Sequence, residues 1–437
     1  MLGLRSLLAL SAATGLLVTG GATAAPRPAP APTVVDVPGL PLGTPLAARR
    51  VEPRLPTPQR NWPFAEDFPR TSGTGRLSGG AAFWSDFLYD DHGAVTTAVA
   101  AQNAAIATLA PTDGGFTYPP GEAHLNGADI FRNAVGLDSA ASYWRVDWNT
   151  LTDPSVPIAV WGLDTDASTQ DVRAWPAGAG VRSAGLDRAL VVSSRGAWLV
   201  DARSGARTDV SKGLFVDRRS RTFVVRIPRT TLPVKGSWRV RLVAGLANAA
   251  GDAMAPATGA LPGQTAVYNV SYRSVASEPQ QYKHGILANR VGTTAAARVA
   301  DMGNYWMEDH QAEALAQGDV TALSKEVLWS DLGERVDQPE PLVTGWSNRW
   351  FVSSLDLGQG VVENTGGGTG DLRPNYLGRV QPYGVYVPTT YRPGTPMPLT
   401  WMLHSLSVMH NQYGSLDPNQ VRQTCEDRQS ICATTLG

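Results

Sequence analysis

The sequence predicts a mainly β protein, in which an antiparallel β-sandwich is followed by a mixed connector and then by a small α/β region. Three observations lead to this fold class. Short runs of alternating apolar and polar residues occupy the middle of the chain, Gly and Pro are frequent (45 and 32 of 437 residues), and a strand–helix–strand pattern lies near the end. Alternation with a period of two is typical of strands that bury one face.

The first 72 residues are predicted to precede the folded domains. Residues 1–24 have the form of a secretory signal peptide, because Arg5 precedes a short apolar run and Ala22-Thr23-Ala24 is a suitable cleavage site. Residues 25–72 are rich in Pro and are interpreted as a linker that runs along the next domain. The apolar run is shorter than the roughly 20 residues that span a bilayer. The mature protein is therefore expected to be secreted, without a membrane anchor.

Residues 73–274 are predicted to form the β-sandwich. Alternation is clearest in residues 142–148, 222–227, 238–243 and 266–272, and Gly, Pro and Asp separate these runs. Several short strands with turn residues between them are typical of an antiparallel sandwich.

Residues 275–375 are interpreted as a mixed connector. Two stretches, 294–302 and 307–316, have helical composition, but prolines and a run of three glycines then interrupt any long element. The connector is expected to pack against one or both neighbouring domains.

Residues 376–437 are predicted to begin an α/β domain. A strand is expected over 382–388, a second over 398–403, then a capped helix that begins at Pro418, and a last strand over 430–435. A strand–helix–strand unit predicts a parallel pair of strands. Since a parallel sheet buries both faces and pairs its edges, this region is expected to be incomplete.

The same region carries a family resemblance. Tyr386-Val387-Pro388, Pro398-Leu399 and Leu403-His404-Ser405-Leu406 resemble the opening of secreted α/β-hydrolases of the prolyl-oligopeptidase and esterase type. The resemblance implies that His404, Ser405 and Leu406 form the oxyanion loop, with the Leu406 backbone N–H as donor. Gly is usual in the family where Ser405 stands. Loss of one such donor typically lowers the rate about 10²- to 10³-fold.

The catalytic triad itself is expected beyond Gly437. His404 is interpreted as a histidine that organises the loop, and neither Ser405 nor Ser407 lies in a G-x-S-x-G elbow, a motif that is absent from the sequence. The leading hypothesis is therefore the N-terminal part of a secreted serine hydrolase acting on a peptide or ester. The chain as it stands is expected to be inactive.

The sandwich region carries a second resemblance. Asp90-Asp91-His92-Gly93, Gly115-Phe116-Thr117-Tyr118-Pro119 and Tyr143-Trp144-Arg145-Val146 resemble the glucodextranase C-terminal, DOMON-like domains. The resemblance implies an accessory sandwich associated with carbohydrate binding or cell-surface attachment. Asp90 and Asp91 stand on a Gly-containing turn, and carboxylates there suit calcium. A solvated acidic turn remains the alternative, and no other cofactor is expected.

The alternative function is a secreted module that binds polysaccharide or cell wall without catalysis, and a third possibility is a spacer that holds or folds the hydrolase. The 13 tryptophans fit either a sandwich core or a sugar-stacking surface. A formal net charge of −1 with 17% charged residues gives no electrostatic reason to expect nucleic acid as a partner.

The two cysteines, Cys425 and Cys432, are expected to form a disulfide. Two nearby thiols in an oxidising compartment usually pair, and no neighbouring His or further Cys completes a zinc site. Closing so short a loop stabilises the fold by about 2–3 kcal/mol in the chain-entropy model.

Overall fold

The computed structural model describes residues 52–95, 114–121, 123, 126–166, 170–275, 309–353, 380–403, 410–411, 413–414 and 418–435. The predicted signal peptide and the linker residues 25–51 lie outside the described residues, as does the predicted helix over 294–302.

Sheet 1 of the sandwich has six antiparallel strands. They are β1 (Thr74–Ser78), β2 (Ala81–Ser85), β3 (Ile130–Leu137), β4 (Ala141–Trp148), β11 (Leu214–Asp217) and β12 (Thr222–Pro228). Their order across the sheet is β1-β2-β3-β4-β12-β11. The sequence predicts β4 and β12 from their alternation, and the two lie side by side with Val225 opposite Trp144.

Sheet 2 packs against sheet 1 and has seven antiparallel strands. They are β5 (Pro157–Asp164), β8 (Arg188–Ser193), β9 (Gly196–Asp201), β10 (Arg207–Asp209), β13 (Ser237–Leu246), β14 (Val267–Val270) and β15 (Lys325–Leu328). The order is β10-β9-β8-β5-β13-β14, and β15 also pairs with β13. A hairpin of β6 (Val172–Ala174) and β7 (Arg182–Ala184) and the helices α1 (Asp309–Gln317) and α2 (Trp329–Gly333) complete this part.

The main hydrophobic core lies between the two sheets. Large side chains on alternate positions of the central strands fill it, and Trp144 of β4 meets Trp161 of β5 edge-to-face with ring centroids 5.4 Å apart. Burial of each such side chain stabilises the fold by roughly 1.5–3 kcal/mol or more. The mainly β fold class and the antiparallel pairing are therefore confirmed.

The outer face of sheet 1 is covered rather than solvated. Every residue of β4 is buried, including the outward-facing Arg145 and Asp147. Asp147 accepts hydrogen bonds from Arg145 Nε and Nη2, both at 2.7 Å, and from Arg132 Nε at 2.5 Å. Arg145 Nη1 also donates to Glu66 of the segment before β1. Each buried charge in this network is thus paired, as burial requires.

Aromatic side chains of residues 52–72 complete this cover. Trp62, Phe64 and Phe68 are buried against sheet 1, and the Arg132 guanidinium lies 4.1 Å from the centre of the Phe68 ring. The second half of the predicted linker therefore packs along the sandwich as part of its cover.

A third sheet, the C-terminal sheet, lies beside this cover. Its strands are β16 (Gly345–Val352), β17 (Val380–Val387), β18 (Leu399–Trp401) and β19 (Ile431–Thr435). Trp350 of β16 docks on sheet 1, where it meets Phe131 edge-to-face at 4.9 Å and its Nε1 donates to the Pro69 carbonyl at 3.2 Å.

The region interpreted as a connector contributes strands to both neighbours. β15 extends sheet 2 through pairs such as Trp238 with Val327, and β16 forms an edge of the C-terminal sheet. The sandwich thus reaches beyond residue 274, and the C-terminal sheet begins before residue 376. Both strands are short or interrupted by polar residues, and their partners come from distant parts of the chain. The local sequence pattern therefore does not reveal them.

Candidate functional site

The C-terminal sheet combines antiparallel and parallel pairing. The strand order is β16-β17-β19-β18; β17 runs antiparallel to β16 and β19, and β18 runs parallel to β19. The connection from β18 to β19 passes through α3 (Pro418–Val421), which continues as a π-helical turn over Arg422–Glu426. Ligands of sheets with parallel strands usually bind at the carboxyl ends of those strands. The end of β18 is therefore the candidate functional site.

The predicted oxyanion residues follow this strand end. His404, Ser405 and Leu406 lie outside the described residues. Two hydrogen bonds hold the chain on the N-terminal side of these residues. The Met402 N–H donates to the Ala433 carbonyl at 2.9 Å, and the Tyr413 hydroxyl donates to the Leu403 carbonyl at 2.6 Å.

The C-terminal end of the same loop is also attached to the sheet. The Thr434 hydroxyl donates to the carbonyl of the buried His410 at 2.5 Å, and Trp346 Nε1 donates to Asn411 Oδ1 at 3.3 Å. Residues of β16 and β19 thus fix where the loop leaves and rejoins the sheet. Trp346 and Thr434 are distant in sequence from Asn411 and His410, so the sequence pattern gives no sign of these two contacts.

A disulfide ties the helical connection to the sheet. Cys425 and Cys432 are bonded, with an S–S distance of 1.97 Å and a Cα–Cα distance of 5.8 Å, and both are fully buried. They pack with Met402, Val421 and Trp346 in a small core on one face of the sheet. This core fixes α3 over the parallel pair.

A polar group borders the same core. Glu426 accepts hydrogen bonds from the Tyr386 hydroxyl and the Thr389 N–H, both at 2.9 Å, and from the Thr389 hydroxyl. Burial, followed by the hydrogen bond and charge of Glu426, raises the pKa of Tyr386 to about 12. Although slight burial opposes it, the bonds from Thr389 and Tyr386 hold the pKa of Glu426 below its ordinary value. The hydrogen bonds of Glu426 thus connect β17 and Thr389 to the π-helical turn after α3.

The other face of the C-terminal sheet has exposed apolar side chains along β18. Leu399, Trp401 and Leu403 occupy alternate positions and are 65%, 54% and 70% exposed. The strand pairs with β19 on one edge, and no described strand pairs with its other edge. The residues of this edge strand carry no charge, whereas charged residues are the usual means of keeping an open edge from pairing with another chain.

The predicted calcium pair is divided between two environments. Asp90 forms a fully buried ion pair with Arg273 and accepts a hydrogen bond from Asn269 Nδ2 at 2.9 Å. Asp91 accepts one from the Tyr118 hydroxyl and one from Asn126 Nδ2 at 3.1 Å. Neither carboxylate is exposed, so the pair is not a solvated turn.

A further carboxylate, Asp129, lies beside Asp91. Burial, and then the charge of Asp91, raise the pKa of Asp129 well above its ordinary value. Burial also raises the pKa of Asp91, although His92 and the Tyr118 hydroxyl act in the opposite direction. Within the described ranges no three Asp, Glu, His or Cys side chains converge as a metal site. Sequence reasoning missed Asp129, because no motif or regular spacing connects it with the Asp90-Asp91 pair.

The tryptophans mostly belong to cores. Among the described tryptophans, Trp198 and Trp401 are the two that are not buried, and they lie in different sheets. Trp198 is itself covered by the Arg207 guanidinium, 4.8 Å from its ring centre. An exposed row of tryptophans, as a sugar-stacking surface needs, is not found in the described part of the chain.

Comparison of the chain with protein-family models, with curated proteins and with solved structures finds no match. Among the helices of the described residues, none has the length and apolar character needed to cross a membrane.

Proposed function

We propose that the chain is the N-terminal part of an exported serine hydrolase of the peptidase or esterase type, with the sandwich as its accessory domain. The observation that carries this proposal is the strand order of the C-terminal sheet. In α/β-hydrolases the first four strands lie in the order one, two, four, three, and the second strand is antiparallel to both neighbours. The order β16-β17-β19-β18 has the same arrangement, with β17 antiparallel to β16 and β19.

The position of the predicted oxyanion loop supports the same function. In that fold one oxyanion donor is a backbone N–H of the loop between the third strand and the first helix. The corresponding loop here joins β18 to α3 and contains His404, Ser405 and Leu406. Such a donor acts only when it is held in place before the reaction. The hydrogen bonds from Tyr413 and Thr434 hold the described chain on either side of that loop, at the Leu403 and His410 carbonyls.

The exposed face of β18 also supports a larger sheet. Parallel strands are ordinarily covered on both faces, whereas α3 and the disulfide cover one face of the β18–β19 pair. Leu399, Trp401 and Leu403 would be buried by additional strands and helices of a complete hydrolase domain. Because no G-x-S-x-G elbow occurs in the 437 residues, the nucleophile would come from polypeptide beyond Gly437.

Export is the remaining part of the proposal. The charged and apolar segments of residues 1–24 and the Ala22-Thr23-Ala24 cleavage site support a signal peptide. The disulfide of Cys425 and Cys432 fits an oxidising compartment. The substrate would be a peptide or an ester, since both reactions use the same oxyanion chemistry.

An activity-based probe tests this function. The 437-residue chain and the polypeptide extended by the downstream reading frame are treated with a fluorophosphonate probe, which reacts with activated serines, and with p-nitrophenyl butyrate. We expect labelling and ester hydrolysis for the extended polypeptide, and neither for the 437-residue chain. Alanine at the labelled serine is the control. An extended polypeptide that folds but takes no label would contradict the proposal, and retention on polysaccharide would then favour the binding module.

A further inference from the structure

One end of sheet 1 contains a buried group of oxygen-bearing side chains. The loop after β2, the start of β3 and the end of β4 meet there, because neighbouring antiparallel strands bring these ends together. The loop carries Asp86 and Asp91, Asp129 precedes β3, and Asn149 follows β4. All four side chains are fully buried.

Asp129 and Asn149 are bonded to each other and still have free oxygens. Asp129 Oδ2 accepts hydrogen bonds from Asn149 Nδ2 and from the Tyr89 N–H, both at 2.8 Å. Asp129 Oδ1 and Asn149 Oδ1 have no hydrogen-bond partner among the described residues. Since the amide oxygen and nitrogen share one carbon, Asn149 Oδ1 lies within the same group. Buried acceptors without donors are rare in proteins, and a bound ion is one of the explanations for them.

The group also concentrates negative charge, because the carboxylates of Asp91 and Asp86 act on Asp129. The described cations near it are His92, which follows Asp91, and Arg221, whose Nη1 donates to the Asn149 carbonyl. Arg221 is held by that carbonyl, and it is not among the hydrogen-bond partners of Asp129. Asp90 does not add to this negative charge, because Arg273 pairs with it.

We propose that this end of sheet 1 is a calcium site, with Asp129 Oδ1 and Asn149 Oδ1 as ligands and with Asp86 and Asp91 supplying further negative charge. The free atoms are carboxylate and amide oxygens, which calcium prefers and soft metals do not. Calcium accepts amide and carbonyl oxygens besides carboxylates, so the site does not need three convergent acidic side chains. The site connects the loop after β2 with two central strands, and calcium would therefore stabilise the sandwich.

The measurement is thermal unfolding of the full chain after EDTA treatment, with calcium chloride and, for comparison, magnesium chloride added. At a calcium concentration one hundred times the Kd, we expect the Tm to rise by about 5 °C or more. Asp129→Asn keeps the shape of the side chain and removes its charge, and should reduce the rise to less than about 1 °C. Asp153→Asn is the matched control, because Asp153 is a turn carboxylate whose hydrogen bonds go to Ser155, and it should respond as the wild type.

An unchanged Tm of the wild type in calcium would overturn the proposal, as would a full calcium response of Asp129→Asn. If that variant does not fold, terbium luminescence of the wild type gives the answer. Tyr89, which lies in the group, should sensitise bound terbium, and calcium should displace the signal. Absence of sensitised emission would equally contradict the site. The result is independent of whether the chain belongs to a hydrolase.

Discussion

Replacement of Arg145 by Met tests whether the charged network on the outer face of sheet 1 holds the segment before β1 in place. Arg145 is fully buried and makes three charge-assisted hydrogen bonds, two to Asp147 at 2.7 Å and one to Glu66. Met has a similar length and apolar volume, so the change removes the charge and the donors but leaves little empty space.

The expected loss of stability depends on which partners Asp147 keeps in the variant. Removing one partner of a buried ion pair usually costs about 3–5 kcal/mol. Arg132 still donates to Asp147 at 2.5 Å in the variant, so that carboxylate keeps one partner. We therefore expect Arg145→Met to lower the free energy of unfolding by about 3–4 kcal/mol, within that range.

The matched control is Arg207→Met. Arg207 and Asp252 form an exposed pair, with side chains 43% and 42% accessible and 3.8 Å apart. Exposed pairs contribute about 1 kcal/mol or less. Urea unfolding followed by tryptophan fluorescence measures both variants, since most of the described tryptophans lie in the cores. Equal losses for the two variants, or a loss under about 1 kcal/mol for Arg145→Met, would refute the role given to the network.

Three further predictions concern acid stability, the disulfide and the loop at the candidate site. Although burial opposes it, the two neighbouring arginines hold the pKa of Asp147 below its ordinary value, so its contribution to stability is present at neutral pH and is lost as the pH falls through the folded-state pKa. Asp147→Asn should therefore weaken the loss of stability below about pH 4 in urea unfolding. Replacing both Cys425 and Cys432 by Ala should cost about 2–3 kcal/mol, and a loss well below that value in the same assay would contradict the chain-entropy account. Tyr413→Phe removes the donor to the Leu403 carbonyl, worth about 1 kcal/mol, and should accelerate amide exchange in residues 402–411 by roughly fivefold, whereas unchanged exchange would show that the bond does not restrain the loop.

Elements with a local signal could be predicted from the sequence. The alternation in β4 and β12 and the cap before Pro418 are properties of a few adjacent residues, and the strands and helix form there. The burial of Arg145 and Asp147 could not be predicted in this way. Their cover includes Glu66, which is 79 residues from Arg145, so the pattern alone suggested a polar solvent-facing side.

The candidate sites, too, could be predicted from the sequence only in part. The Asp90-Asp91 pair is visible in the sequence, but the sequence does not reveal that Arg273 neutralises Asp90 while Asp129 lies beside Asp91. The order of the C-terminal sheet likewise depends on β16, whose pairing with β17 crosses a long connection. Such pairings depend on the whole fold, because each partner is chosen by burial and by the strands next to it.

The most direct test of the proposed hydrolase is the coding sequence downstream of the codon for Gly437. The strand order of the C-terminal sheet predicts an open reading frame that supplies a G-x-S-x-G elbow, followed by an Asp and then a His. A stop codon immediately after Gly437, or a long open frame without these residues, would contradict the proposal. The sandwich would then be the functional part, and the binding of polysaccharide or cell wall would become the better account.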